Sequence, residues 1–388
     1  MSNPVIGFNS VSLFDILMIV ITIMSAFGFA HLLNRKLLLS TPSKESNRYG
    51  CIDGIRGYLA IFVFIHHFVI TWFWKNDGNW SAPPIHYFDV FGSFGVSLFF
   101  MITGYLFVSK LKKFETGRID WIALYKSRFY RITPLYLFSI IIISSVVFSS
   151  AYSIGLNSFS SIFYDYMKWF LYVGASINGF EDTKRVIAGV DWSLRYEWLF
   201  YISLPLIFIA IRKGWTYLLA IQVISLVLFI YPLDAKVFFS QYFILFTVGG
   251  SITYINTRFI KNFIDSFWGS VIVLLMISAT LFYAEPYSGL QLVLLTIIFF
   301  AISSGNSLFG LLRKEASIFL GEISYSIYLM HGIFLYFAFT TFPIISVKNT
   351  LIGEFLLYMP ASVCAVVLIS LFTYYFIERP FMRLGAKK

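Results

Sequence analysis

The side chains best suited to moving protons in this chain lie inside apolar stretches, where an ionisable group is costly and functional by default. Asp53-Gly-Ile-Arg56-Gly57 is followed by Phe64-Ile65-His66-His67. Arg56 and His67 are eleven residues apart. On a helix that spacing turns the chain by about 1100°, so the two faces differ by only about 20° and His67 lies about 16 Å further along the axis. His66 points about 80° away. A cation at the mouth of a membrane helix and an imidazole deeper on the same wall suit an anionic ligand that enters past Arg56 and meets a general base. A histidine hydrogen-bonded between helices, with Arg56 reaching the headgroups, is the structural alternative. The shared face favours chemistry.

Three further groups extend the pattern. Trp192-Ser193-Leu194-Arg195-Tyr196-Glu197, followed by Phe200, Tyr201 and Pro205, places a carboxylate just inside another apolar run. A buried carboxylate needs a partner or a proton. Pairing with Arg195 would satisfy Glu197 structurally, whereas orienting an imidazolium or binding a sugar hydroxyl would use it chemically. Ser324-Tyr-Ser-Ile-Tyr328-Leu-Met-His331 brings another histidine to a depth comparable to that of His67. Alone it reads as a packing histidine, but two histidines and a glutamate at membrane depth point to a shared polar cavity. Arg128 and Arg131, three residues apart and just before Pro134, share a helix face and could clamp a phosphate. They also read as ordinary cytoplasmic charge. Gly92, Gly95, Thr103 and Gly104 put small residues on one run, for close helix approach or for a polar kink beside the cavity.

The elements that position these groups must cross a bilayer. Of 388 residues, 59% are hydrophobic and 12% charged, where a soluble domain is nearer half and a quarter. The excess apolar surface must face lipid, and an aromatic content of 20% suits membrane interfaces. The net charge of +10 gathers in short loops, which marks topology and speaks against a nucleic-acid partner. Cys51 and Cys364 show no metal spacing. With no Walker loop, GxSxG elbow or HExxH, ATP-driven transport and metalloprotease chemistry lose support and no metal is expected. The first ten residues carry no Lys or Arg, and the apolar run after them ends without a small-residue cleavage site, so it reads as a retained helix.

The expected spans are 11–33, 56–74, 92–109, 132–150, 192–211, 215–232, 238–256, 267–284, 289–304, 321–342 and 355–377. Basic clusters follow the first, third, fifth, seventh, ninth and last of them, as eleven spans require. The run 159–177, interrupted by Asp165 and Lys168, is expected to be interfacial or re-entrant. The fold class is thus an all-α integral membrane protein, a polytopic helical bundle of about eleven transmembrane helices with the N-terminus outside and the C-terminus cytoplasmic. No soluble domain is expected, and the longest loop, roughly 151–191, lies outside, where it could shape access for an external substrate.

In this order, these stretches resemble the acyltransferase-3 family of bacterial membrane proteins over about residues 50–381. Its Arg-x10-His opening fits Arg56 and His67. A Ser-Gly-Phe-Leu-like segment corresponds to Thr103-Gly104-Tyr105-Leu106, with two conservative departures. The arginine pair before a proline fits Arg128, Arg131 and Pro134. Trp-Ser-Leu-x-x-Glu runs from Trp192 to Glu197, Ser-Tyr-x-x-Tyr-Leu-x-His from Ser324 to His331, and Glu-x-Pro is Glu378-Arg379-Pro380. Each motif alone is weak; six in order are specific. The family's core of ten spans makes the helix at 11–33 an addition, which divides the chain into 1–50 (extra helix and cytoplasmic loop) and 51–388 (acyltransferase-3 membrane domain). The SGNH esterase-like domain carried by some relatives is not expected here, so transfer would finish in the membrane domain or pass to a separate partner.

The resemblance implies O-acylation, most often acetylation, of a cell-surface or lipid-linked glycan such as O-antigen, capsule or exopolysaccharide. The donor would be acetyl-CoA and the location the bacterial cytoplasmic (inner) membrane. Arg128 and Arg131 would hold the CoA phosphates and Arg56 would help seat the donor. His67 would be the base for the sugar hydroxyl, or would briefly carry the acetyl group. Glu197 would steady the charged histidine or position the acceptor. Asp53, Thr103, Gly104, Trp192, Tyr201, Tyr328, His331 and Glu378 would support the site. The partners are the glycan or glycolipid acceptor and membrane lipids, and no oligomeric state is assigned. A glycolipid transporter or flippase, and a noncatalytic component of a polysaccharide-synthesis complex, are the alternatives.

Overall fold

The computed structural model describes residues 12–37, 50–235 and 238–386. The chain ends, the expected cytoplasmic loop with Lys44 and Arg48, and Lys236 lie outside the described residues. The described chain is mostly helical. Its helices are α1 (Leu13–Leu37), α2 (Gly50–Asp77), α3 (His86–Lys112), α4 (Trp121–Ile154), α5 (Phe159–Phe170), α6 (Asp191–Lys213), α7 (Trp215–Ile230) and α8 (Phe243–Ser251). The short α9 (Lys261–Ile264) precedes α10 (Phe267–Tyr283), α11 (Gly289–Ser303), α12 (Glu315–Glu322), α13 (Ser324–Tyr336), α14 (Ile352–Leu356), α15 (Met359–Thr373) and α16 (Arg379–Ala386). Two-residue strands, Asp234–Ala235 and Phe238–Phe239, form a minimal antiparallel ribbon.

Among the described residues, six helical stretches are long and apolar enough to cross a membrane, and α12 with α13, bent by 66°, would make a seventh. The helices α7, α10 and α11 are apolar and of 16, 17 and 15 residues. Each of the eleven apolar runs contains helix, but several boundaries move. The helix expected from 132 begins at Trp121, so Arg128 and Arg131 stand well inside α4. The charges over 121–131 lower hydropathy without breaking the backbone. The run 238–256 holds only the nine residues of α8, flanked by 3-10 turns. The run 321–342 belongs to a bent pair. At 12 residues α5 is about 18 Å long, too short to cross a hydrocarbon core of about 30 Å.

The chain forms two compact units. One comprises Met1–Gly95, Phe263–Tyr328 and Phe334–Ile369. Here α1 turns buried Thr22, Ala26 and Ala30 inward at helical spacing. It is tied down where Tyr87 donates to Asp15 at 2.5 Å. Phe68, Phe339 and Phe355 form an aromatic core, with Phe68 stacked on Phe355 at 4.4 Å. The other unit comprises Val96–Asn262, Leu329–Ile333 and Ser370–Lys388. Its centre is Phe246, stacked at 4.5 Å on both Phe100 and Phe200.

Candidate active site

The expected site residues fall in both units. In the first, α2 is one unbroken helix through Asp53, Arg56, His66 and His67. Its early turns touch the backbone of the chain around α12. A Cβ on Gly54 would come within 2.0 Å of the Leu312 carbonyl oxygen, and one on Gly321 within 1.8 Å of the Asp53 carbonyl oxygen. Only glycine permits that approach, and it fixes the helix that carries Asp53 and Arg56, both partly exposed. Tyr58, 2.8 Å from the Ser317 hydroxyl, pins the same seam.

Further along, both histidines engage main-chain carbonyls through Nδ1: His66 donates to Phe88 at 2.9 Å and His67 to Val63 at 3.0 Å. A carbonyl can only accept, so in each neutral ring the proton is on Nδ1 and the lone pair on Nε2. His66 packs against Gly92, where a Cβ would lie 2.7 Å from its Cδ2. That contact explains the small residue on α3 and gives His66 a packing role. The His67 ring lies near-parallel to Trp80 at 6.3 Å. On α13, Tyr328 is buried, as are Ser324 and Ser326.

In the second unit, α4 and α6 run antiparallel. Trp121 packs edge-on against Phe208 at 5.8 Å, and the Tyr125 hydroxyl donates to the Tyr201 carbonyl at 3.1 Å. Pro205, inside α6, has no N–H to give the carbonyl four residues back, which is that of Tyr201. Tyr125 fills the vacancy. This pairing delivers Glu197 and Tyr201 to the level of the arginines. Tyr201 donates to Glu197, and Arg131 Nη2 lies 3.8 Å from Oε1 of the wholly buried Glu378. The carboxylates of Glu378 and Glu197 both act electrostatically on Arg131, Tyr201 and Tyr374 stand near it, and Arg128 stands near Tyr201. The structure therefore brings Arg128, Arg131, Glu197, Tyr201, Tyr374 and Glu378 into one polar cluster.

The two arginines do different things within it. Arg131 is paired with Glu378, whereas Arg128 lies 5.4 Å over the Phe107 ring and donates to Ser127 at 3.2 Å. Arg195 gives Nε and Nη2 to the Tyr172 carbonyl at 3.0 and 2.8 Å. Trp198 donates to the Tyr172 hydroxyl at 3.0 Å. Tyr172 holds a left-handed φ of 57°, uncommon for an aromatic residue.

Trp192 packs with Tyr242 at 5.0 Å and with Tyr196 at 5.8 Å. Gly104 sits where a Cβ would be 2.0 Å from the Phe246 carbonyl oxygen, so α3 and α8 touch through their backbones beside the partly exposed Thr103. Close approach is thus what this glycine provides. His331 is fully buried, and its neighbour Gly332 abuts the backbone of Ile187 and Ala188. Sequence reasoning missed Tyr125, Tyr172, Trp198 and Tyr374; among 25 tyrosines and 9 tryptophans nothing local distinguishes them. Among the described residues, no three His, Cys, Asp or Glu side chains stand together as metal ligands.

The family model described as an acyltransferase domain (Acyl_transf_3) matches residues 49–373. The chain belongs to this acyltransferase family. Among curated proteins it is similar to O-acetyltransferase OatA of Staphylococcus aureus (strain NCTC 8325 / PS 47), with 26% identity over 162 residues, covering 40% of this chain and 24% of OatA. It is also similar to SACOL0978 of Staphylococcus aureus (strain COL), provisionally named an O-acetyltransferase, with 23% identity over 383 residues, covering 89% of this chain and 59% of that protein. The chain thus spans about a quarter of OatA and about three-fifths of SACOL0978. No solved structure matches it.

Proposed function

We propose that this chain is a membrane-bound O-acyltransferase that moves an acetyl group from acetyl-CoA, at the cytoplasmic side, to a hydroxyl of a cell-surface or lipid-linked glycan. The observation that carries the reading is the His67 ring. Its Nδ1–H is held by the Val63 carbonyl, so the lone pair of the neutral ring sits on Nε2, the atom proposed as the base, in a chain matched to the acyltransferase family over residues 49–373. The relatives' names, which specify O-acetyl transfer, support acetyl as the group and oxygen as the acceptor atom.

In the direct route, His67 Nε2 takes the proton of the sugar hydroxyl as its oxygen attacks the thioester carbonyl. The C–S bond breaks, and the CoA thiolate leaves with the proton from the imidazolium. In the two-step route, Nε2 attacks the thioester carbonyl and the C–S bond breaks to release the CoA thiolate. The sugar oxygen then attacks the acetyl carbonyl, the N–C bond breaks to regenerate the imidazole, and the hydroxyl proton passes through Nε2 to the thiolate. Arg128 holds donor phosphate. Arg56 helps seat the donor. Glu197 acts through Tyr201, to which it is hydrogen-bonded, to order the polar cluster and the acceptor side. Glu378 holds Arg131 in place. Asp53, Thr103, Gly104, Trp192, Tyr328 and His331 support these groups.

The proposed setting is the bacterial cytoplasmic membrane, with about eleven spans, the N-terminus outside and the C-terminus in the cytoplasm. Residues 1–50 add a helix and a loop to the membrane domain 51–388. The apolar helices α7, α10 and α11, added to those long enough to cross, support the higher span number. The test is transfer of label from radioactive acetyl-CoA into glycan by purified protein in proteoliposomes. Label in glycan with matching CoA release is expected. CoA release without glycan label, with candidate acceptors present, would contradict the assignment.

A further inference from the structure

The C-terminal turn of α3 carries Lys110 and Lys112, with Lys113 following. They do not behave alike. Lys112 donates to the Thr253 carbonyl at 2.7 Å and lies 3.7 Å over the Tyr254 ring, which commits it to the backbone beyond α8. The charges that act on Lys110 are Arg128 and Lys113, and both are cations. Phe107, one helical turn before Lys110 on the same face of α3, carries the Arg128 guanidinium at 5.4 Å. Among the described residues, none of Lys110, Lys113 and Arg128 makes an ion pair. Arg131, the other expected phosphate ligand, faces the buried carboxylate of Glu378 instead.

Three cations gathered from two helices repel one another, and the cost falls when a polyanion settles among them. An arginine also offers a planar fork for phosphate oxygens, and lysines add mobile point charges around it. We propose that Lys110, Lys113 and Arg128 form the phosphate-binding site of this chain. Its ligand would be the phosphorylated adenine-nucleotide end of the acyl donor, and Arg131 would be a structural ion-pair residue rather than a phosphate ligand. The proposal rests on the acyl-CoA reading for the identity of the ligand, but its geometry does not depend on turnover. Anionic lipid headgroups share the same chemistry, so the test must separate the two sources.

The probe is adenosine 3′,5′-bisphosphate, titrated into full-length protein in nanodiscs of phosphatidylcholine alone or with added phosphatidylglycerol. Wild type is expected to bind in the neutral discs, more weakly as salt rises. Lys110→Gln and Lys113→Gln should each weaken binding by roughly tenfold, the loss of one charge-assisted contact. Arg131→Lys should bind within about twofold of wild type. Lys110→Gln binding as tightly as wild type would overturn the proposal, as would no binding by wild type in neutral discs. A cluster that only retains phosphatidylglycerol, measured by lipid co-purification with wild type and Lys110→Gln, would overturn it in favour of the headgroup. Wild type that binds the bisphosphate but transfers no acetyl group would fault the acyltransfer reading and leave this site standing.

Discussion

Glu378→Gln tests the polar cluster at its most buried point. Glu378 is wholly buried, and its Oε1 lies 3.8 Å from Arg131 Nη2, beyond hydrogen-bond reach, so charge holds the pair. Two unit charges at that separation attract by about 4 kcal/mol at an effective dielectric constant near 20. Removing one partner of a buried pair typically costs about 3–5 kcal/mol. Arg131 keeps 20% of its side chain exposed and can recover part of that through solvent or headgroups, so the expected loss is about 2 kcal/mol. In detergent, thermal unfolding followed by size-exclusion fluorescence should show an apparent Tm lowered by about 2–3 °C. Arg131→Met combined with Glu378→Met removes both charges and should recover part of the loss. Recovery will be incomplete, because Arg131 also acts on Glu197. A Glu378→Gln protein as stable as wild type, or a double variant that loses the full sum of the two singles, would refute the pairing argument.

Two further perturbations read the framework around the cluster. Gly104→Ala places a Cβ 2.0 Å from the Phe246 carbonyl oxygen and should cost about 1–3 kcal/mol, whereas Gly28→Ala, with nothing within 4 Å, should be neutral; thermal unfolding of the two checks this. Arg195→Gln removes both donors to the Tyr172 carbonyl and should cost about 1.5–3 kcal/mol locally, which limited proteolysis should reveal as faster cleavage between Leu171 and Val190.

Much of this arrangement was legible in the sequence, for physical reasons that differ by element. Helix periodicity alone put Arg56 and His67 on one stripe, and α2 runs unbroken through both. Apolar length located helix in all eleven runs, because backbone in lipid must satisfy itself. The interrupted run after α4 was expected to be interfacial or re-entrant, and its helix is too short to cross. Hydropathy could not show that α4 starts at Trp121, since a helix continues through charged turns that a bilayer would reject. Nor could it show the bend between α12 and α13, where no proline marks the break. The separate fates of Arg128 and Arg131 depend on Phe107 and Glu378, which lie far from them in sequence. Tyr125 answers the proline-freed carbonyl of Tyr201, a pairing visible only once α4 and α6 are side by side.

In the proposed reaction His67 Nε2 is the base or acetyl carrier, while His66, packed against Gly92, is a packing residue. The most direct measurement is acetyl transfer from radiolabelled acetyl-CoA in proteoliposomes, comparing wild type with His67→Ala and His66→Ala, each first shown to be monodisperse. His67→Ala is expected to lower glycan labelling by about 10²-fold or more, the contribution of a positioned base. His66→Ala is expected to retain transfer with a lowered Tm. Glycan labelled by His67→Ala at the wild-type rate would contradict this role of His67.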